Sequence, residues 1–522
     1  MIQAKDSAEP AFPLEEATIV ELQEAMQSGQ MTARRLTEMY IERIQQISQQ
    51  GPHINAVLEI NPEALESADQ LDRERQEQGP RGILHGIPIL IKDNIATADE
   101  MQTTAGSLAL LGSRPPRDAF VVQGLRKAGA IILGKTNLSE WANFRSDFSS
   151  SGWSGRGGQG RNPYVLDRSP CGSSAGSAQA IAANLAAASL GTETDGSIVC
   201  PSSLCSIVGI KPTLGLVSRA GVIPIAHSQD IVGPMCRTVA DAAAVLGALV
   251  GIDAHDPTTE ASDGIFHKDY TKFLEADGLR GARIGVARQT LFGYSPKADA
   301  IVDAAIERMK ELGAIIVDPA DIPTAQQIAS SRAELTVLLT EFKADLNSYL
   351  AELVSSPVRS LAEIIAFNNE HVEQELPYFG QDLFLQAEAT GGLDDPAYLA
   401  ALAEDQRLSR QEGIDAVMNE YHLDALVAPT CSPPWTIDLV DGDHFAGSSS
   451  TPPALAGYPA ISVPAGYVFE ELPVGITFFG RAWSEPTLIK LAYAFEQATR
   501  VRHAPKFIPS LPDLRKVDQV VN

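Results

Sequence analysis

The chain has 522 residues, 44% of them hydrophobic and 20% charged, and a formal net charge of −26. That is an ordinary globular balance. So acidic a chain excludes a nucleic-acid phosphate backbone as the default partner, because that contact needs clustered cations. No apolar run reaches the roughly 18 residues a membrane span needs. The opening segment MIQAKDSAEPAF has no apolar secretory core. The expectation is a soluble protein, cytoplasmic, or exported if a leader has been removed.

Residues Met1 to Pro13 read as a loose arm. Thr18 to Gln27 and Thr32 to Gln49 read as helices, the second with Leu36, Tyr40, Ile44 and Ile47 at helical spacing and Thr32 as N-cap. Ile54 to Ile60 is a predicted strand, Asn61 to Gln78 a charged helix, and Ile83 to Ile95 a strand region. A helix over Ala119 to Gly129 then leads into a strand at Ile131 and Ile132. Such alternation predicts an α/β fold. Ser149 to Tyr164 is rich in Ser, Gly and Arg and is read as an ordered loop approaching the site. Thr238 to Val250 is a helix, and Arg283 to Val286 and Ile315 to Val317 are strands around a helix at Ile301 to Leu312. Residues 330 to 421 are mainly helical and long enough to form an insertion. Strands at Leu426 to Ala428, Ile461 to Val463 and Val474 to Phe479 precede a last helix, Thr487 to Thr499.

The chemistry concentrates between Ser169 and Thr213. Two small turns, PCGSSAGS and GTETDGS, carry Ser173, Ser174 and Ser197. The Ala-rich segment between them, Ala178 to Ala188, reads as a buried helix on propensity. Its first turn falls just after Ser173 and Ser174, where unpaired N–H groups favour negative charge. Glycines in the second turn let several N–H groups converge beside Ser197, as an oxyanion hole requires.

This stretch closely resembles the amidase signature family of serine hydrolases, whose usual core is P-G-G-S-S-G-G-S followed by G-T-D-T-G-G-S-I-R-x-P. The resemblance extends to LHGIPILIKDNI (84–95), AGAIILGKTNLSEWA (128–142), GIKPTLGLVSRAGVIP (209–224) and AISVPAGYVFEELPVGITFFG (460–480). Within the family, GTETDGSIVCP and NLSEWANFR are similar to bacterial peptide amidases, which remove a C-terminal amide from peptides. The resemblance implies one α/β domain over residues 1–522, with a central mixed β-sheet covered by helices on both faces. Its signature core spans about 82–245, and the helical insertion about 330–421.

Amide hydrolysis needs a nucleophile, a base, an acid for the departing nitrogen and an oxyanion hole. The nine histidines occupy no catalytic motif, and His85 and His227 read as structural. No G-x-S-x-G elbow surrounds Ser197. Lys92 closes the apolar run Ile87 to Ile91. Taken alone, it reads as a lysine snorkelling to the surface. Desolvation there would instead lower its pKa and make it a base. The resemblance implies the second reading: Ser197 as nucleophile, Ser173 as bridging serine after a cis Gly172–Ser173 bond, and Lys92 as base. It implies backbone N–H groups of Thr194, Asp195, Gly196 and Ser197 as the oxyanion hole, and Ser174 as an orienting hydroxyl.

The chain departs from the usual core at Glu193, Asp195, Val199, Cys171 and Ala175. Asp195 has two readings. It points away and caps a turn, or it accepts a hydrogen bond from a substrate backbone N–H. The five cysteines, Cys171, Cys200, Cys205, Cys236 and Cys431, form no disulfide framework and read as small buried residues. No metal and no cofactor are expected. The expected function is hydrolysis of a carboxamide, foremost the C-terminal amide of a peptide, through an acyl-enzyme. The alternatives are a general acyl or fatty amide amidase, and a glutaminase-type subunit feeding ammonia to a tRNA-bound partner. The paired glycines and arginine usual in such subunits are missing here, at Asp195 and Val199. The expected partners are therefore the amide substrate and water, with no nucleic acid and no obligatory protein partner.

Overall fold

The computed structural model describes residues 14–512; the arm expected over Met1–Pro13 lies outside them. Among the described residues thirteen strands follow in chain order: β1 (Val57–Ile60), β2 (Pro88–Lys92), β3 (Ile131–Thr136), β4 (Trp153–Ser154), β5 (Gly158–Gln159), β6 (Ala188–Glu193), β7 (Val208–Lys211), β8 (Ile231–Cys236), β9 (Arg283–Val286), β10 (Ile315–Val317), β11 (Ala425–Pro429), β12 (Ala460–Val468) and β13 (Leu472–Phe479). Eleven make one sheet in the order β1-β3-β2-β6-β8-β7-β12-β13-β11-β9-β10, and β4 and β5 form a separate hairpin. The sheet is mixed. β2 runs parallel to both β3 and β6, whereas β8 runs antiparallel to β6 and β7.

Both faces are covered, as predicted. Along β11, Ala425 and Val427 join one apolar cluster while Leu426 and Ala428 join another. With side chains alternating across the strand, each face must bury its own set. Burial on both sides produces apolar runs such as Ile89-Leu90-Ile91 in place of apolar/polar alternation.

The middle of the sheet departs from the sequence reading. The Ala-rich helix covers only Ala175–Ala182, and Ala188 already belongs to β6. Alanine's helix propensity loses there to pairing on both sides, because β6 lies between β2 and β8. Neither β7 nor β8 is expected from the sequence. Other bounds shift at the ends: β1 starts at Val57, β2 is confined to Pro88–Lys92, and β3 continues to Thr136. The second helix is regular over Ala33–Arg43 and widens into a π-helical turn over Ile44–Gln49.

Between β10 and β11 the chain is helical, with long segments at Ala333–Glu352, Leu361–Glu370 and Pro396–Ser409. Phe342, Leu346 and Phe384 pack there against Trp141, Phe144, Ile223 and Ile225. Trp141 meets Phe384 edge-on, with ring centroids 5.8 Å apart. Trp141 and Phe144 follow β3 and Ile223 follows β7, so the helices rest on loops beyond the carboxyl ends of those strands. Buried Arg145 locks this contact by pairing with Glu140 at 2.6 Å and lying 4.2 Å over the Phe379 ring.

Candidate active site

Parallel pairing of β2 with β6 matches Ile91 to Leu190. The next residues, Lys92 and the Thr192 region, therefore emerge at the same edge. Lys92 is fully buried. Its Nζ donates to Ser173 Oγ at 2.7 Å, to Thr192 Oγ1 at 2.8 Å and to the Thr192 carbonyl at 3.2 Å. Burial lowers its pKa to about 7, against the opposing pull of the Asp230 and Glu193 charges. A large fraction of Lys92 is thus neutral near pH 7, and a neutral amine can accept a proton.

Ser173 follows a cis Gly172–Ser173 peptide. A Cβ at Gly172 would stand 2.0 Å from Ser139 Oγ, so any larger residue would displace that hydroxyl from the Gly152 N–H it accepts. Ser174 is the N-cap position of the helix Ala175–Ala182. Its hydroxyl donates to the Thr192 carbonyl at 3.0 Å and accepts from the Thr192 N–H at 3.2 Å. Its own N–H donates to the Ser197 carbonyl at 3.2 Å. Ser174 thereby stitches the first serine turn to the second.

The second turn is held from within. Glu193 Oε2 accepts the N–H groups of Ile198 (2.7 Å) and Val199 (3.0 Å). The longer acid thus reaches past the turn to cap the helix Val199–Leu204. Gly196 has φ +79°, and a Cβ there would lie 2.9 Å from Ser450 Oγ and 3.0 Å from Cys200 Sγ. Among the described residues, the N–H groups of Thr194, Asp195, Gly196 and Ser197 donate to no protein acceptor. The turn thus presents four free donors, counting the Ser197 N–H itself. Thr194 is also fixed through its side chain, which donates to Asp230 at 2.6 Å. The structure joins Lys92 directly to Ser173. It joins Ser197 to that pair through the Ser174 backbone, and the Ser173 and Ser197 hydroxyls make no mutual hydrogen bond among the described residues.

The amidase family profile matches residues 35–489 of this sequence. The chain belongs to the amidase family. It is 51% identical to the native peptide amidase of Stenotrophomonas maltophilia, with a TM-score of 0.90, covering 95% of this chain and 99% of that one. A peptide amidase in complex with the competitive inhibitor chymostatin matches at 52% identity and a TM-score of 0.91, over 95% and 100% of the two chains. A probable amidase of Arabidopsis thaliana is 47% identical over 95% of this chain and 93% of its own. A glutamyl-tRNA(Gln) amidotransferase component of Cyanothece sp. is 35% identical over 92% and 98%. The protein is an amide hydrolase of this family.

In this amidase a cavity of about 390 Å³ opens above Ser197, walled by Ser151, Cys171, Leu383, Trp435, Asp443 and Ser450 among others. Leu383 comes from the helical segment, which therefore reaches the site. Ser149 and Ser151 line the cavity too, as expected of the Ser/Gly-rich loop. Asp443 fixes that loop by accepting the Ser151 N–H at 3.0 Å and Trp435 Nε1 at 3.1 Å.

Asp195 lines the cavity and caps no turn. Its Oδ2 accepts from Thr451 Oγ1 at 2.7 Å, whereas its Oδ1 is buried without a partner. Glu334 of the helical segment faces it and accepts from Gln229 Nε2 at 3.1 Å. Burial, then the Asp195 charge, pushes the Glu334 carboxyl well above its ordinary range. All five cysteines are free and buried, as read. His85 is buried, with Nε2 2.9 Å from the Leu71 carbonyl. His227 is exposed and bridges Asp345 (2.9 Å) and Glu341 (3.4 Å) on the helix Ala333–Glu352.

Sequence reasoning missed Thr192, Asp230, Trp435 and Asp443. Thr192 stands inside the recognised GTETDGS turn, so its position was visible although its partner was not. Trp435 and Asp443 lie in an irregular stretch with no periodicity, and only the tertiary fold brings them to the cavity.

Proposed function

We propose that this amidase hydrolyses the C-terminal amide of peptides, with Ser197 as nucleophile, Ser173 as proton bridge and Lys92 as base. The observation that carries the mechanism is the buried Lys92–Ser173 contact at 2.7 Å. Neutral Lys92 takes the Ser173 proton while Ser173 takes that of Ser197. Ser197 Oγ attacks the amide carbon. The backbone N–H groups of Thr194, Asp195, Gly196 and Ser197 hold the oxygen as it becomes negative. The tetrahedral adduct collapses when Ser173 returns its proton to nitrogen, so ammonia leaves and an ester remains on Ser197. Water, deprotonated by the same relay, hydrolyses that ester, releasing the acid and restoring the serine.

The substrate class rests on the cavity lining. It includes the carboxylates Asp147, Asp195 and Asp443 and, among the described lining residues, no Lys, Arg or His. That field opposes a carboxylate in the substrate and expels the carboxylate product. A peptide amide has no terminal carboxylate, whereas free glutamine carries one. Asp195 stands in the cavity wall, and we assign it a peptide N–H beside the scissile amide, reached when its carboxylate, buried against Glu334 in the free enzyme, turns toward the cavity. A fatty amide has no such donor to offer. The identity to peptide amidases, 51% and 52%, supports the same reading. No helix among the described residues is long and apolar enough to cross a membrane, and we infer a protein that works as a single chain without a metal. The test is ammonia release by the purified chain from a peptide amide, a fatty amide and glutamine. Peptide amide should be turned over with the highest kcat/KM, and glutamine preference would sink the proposal.

A further inference from the structure

Behind the second serine turn lies a carboxylate that touches neither substrate nor nucleophile. Asp230 sits just before β8. Its Oδ1 accepts the Thr194 hydroxyl at 2.6 Å, and its Oδ2 accepts the N–H groups of Ile225 at 2.8 Å and Ala226 at 3.0 Å. Thr194 is the first residue of the turn Thr194–Ser197, whose four N–H groups are free. The three bonds to Asp230 therefore clamp one end of the turn to the loop before β8. Glu193 clamps the other end through Ile198 and Val199. On its far side Asp230 lines a separate cavity of about 240 Å³.

We propose that Asp230 is a positioning residue of this amidase: it holds Thr194 from behind, two residues beyond the Thr192 that Lys92 bonds, so setting the aim of the oxyanion turn and placing a fixed carboxylate behind the base. The proposal rests on Lys92 being the base.

The charged surroundings decide the sign. Lys92 on β2 is faced by Asp230 and by Glu193 at the end of β6, and each carboxylate favours its ammonium form. Asp230 itself is pushed up by burial to about 6, with its hydrogen bonds and the Arg219 charge opposing. At neutral pH it is therefore mainly anionic. Arg219, from the loop after β7, is itself held by Asp256 at 2.6 Å. Around the same cavity stand Arg117, His227, His255, Asp345 and Glu352. His227 is engaged with Asp345 and Glu341. Within this set Asp230 is the carboxylate that also grips the oxyanion turn, so one side chain couples the aim of the donors to the protonation of the base.

The test compares Asp230→Asn, Asp230→Glu and Thr194→Val by pH profiles of kcat and KM on a peptide amide. Asp230→Asn removes the charge that favours the ammonium. Its acid limb should move to lower pH by about one unit, with a plateau roughly tenfold below wild type. Asp230→Glu keeps the charge and should keep the limb in place. Thr194→Val leaves the Ile225 and Ala226 bonds intact. It should lower plateau kcat roughly tenfold with KM and limb unchanged, and it carries the test if Asp230→Asn does not fold. A role in stability alone would lower the melting temperature without moving the limb. A wild-type limb in Asp230→Asn, or wild-type turnover in Thr194→Val, overturns the proposal. A wild-type enzyme with no acid limb at all would instead remove Lys92 as the base, and the proposal with it.

Discussion

Among the described residues three lysines are fully buried, and they have different company. Lys211, at the end of β7, donates to the carbonyls of Pro453 and Tyr458. Lys135 on β3 donates to the Ile95 carbonyl and to Thr103 Oγ1. Lys92 donates to the hydroxyls of Ser173 and Thr192 as well as to one carbonyl. Burial lowers all three, Lys92 to about 7 and the other two to about 8. Burial alone therefore separates them little, and the partners make the difference. A carbonyl only accepts, so it rewards the ammonium and leaves a neutral amine unsatisfied. A hydroxyl can turn its proton toward a neutral amine. Lys92 is the lysine that can be deprotonated and still hydrogen-bonded through a group that itself relays protons, whereas Lys211 is bonded only to carbonyls.

The largest effects should come from the Lys92 end. Ser197→Ala should abolish the acyl-enzyme seen by intact-mass spectrometry. Lys92→Met should lower kcat by at least about 10³-fold, because both proton transfers of the proposed relay run through the amine. Near-normal turnover in either variant would dissolve the contrast among the three lysines. Next in size is the pH response. If Lys92 is the base it must be neutral, and burial lowers its pKa to about 7, so kcat/KM should fall about tenfold for each unit below that. The same shift enters stability. Between about pH 7 and the ordinary lysine value of about 10.4, the unfolded chain holds a proton at this position that the native chain lacks. Stability from this group is fully present above the upper value and is lost as pH falls through the lower one. Urea titrations across that window should show a steeper rise of stability with pH in wild type than in Lys92→Met, where Lys135 and Lys211 still titrate.

Asp195→Gly should have a smaller, selective effect. It should cost about tenfold on a peptide amide and little on a simple acyl amide, since an unpaired buried acceptor is worth about 1–3 kcal/mol. Equal losses on both would leave Asp195 in the scaffold. The smallest effect on chemistry belongs to Lys211→Met. It should lower the melting temperature by several degrees, because Glu193 and Glu485 lose a nearby cation. Below that temperature, turnover and the acid limb should match wild type. A moved limb in this variant would mean that Lys211 shares the work of Lys92.

The sequence showed the rim of this sheet better than its middle. Strands such as Ile131–Thr136 and Ala425–Pro429 open on short apolar runs, IIL and ALVA, so their type was legible. β6 reads ASLGTE and looks like a continuation of the Ala-rich helix. Only its two neighbours make it a strand. β8 contains Pro234, which argues against a central strand. It is tolerated because β8 pairs with β7 only at Cys236 and Met235, leaving Pro234 beyond the end of that ladder. The site divides similarly. Ser173, Ser197 and Lys92 were legible through the resemblance to the amidase signature, whereas the apolar run alone makes Lys92 a snorkelling lysine. Asp230 was not, because its role depends on a hydrogen bond to Thr194 across 36 residues of chain.

The pairing of β2 with β6 has a consequence for how activity arises. Lys92 and Thr192 are 100 positions apart, and Lys92 and Ser173 are 81. No local segment contains the relay, and a parallel ladder between distant strands must close before the amine meets its hydroxyls. Closing so long a loop is slow relative to helix formation. After dilution from denaturant, helical circular dichroism should recover first and amide hydrolysis last, so the enzyme's own turnover reports when the centre of the sheet has assembled.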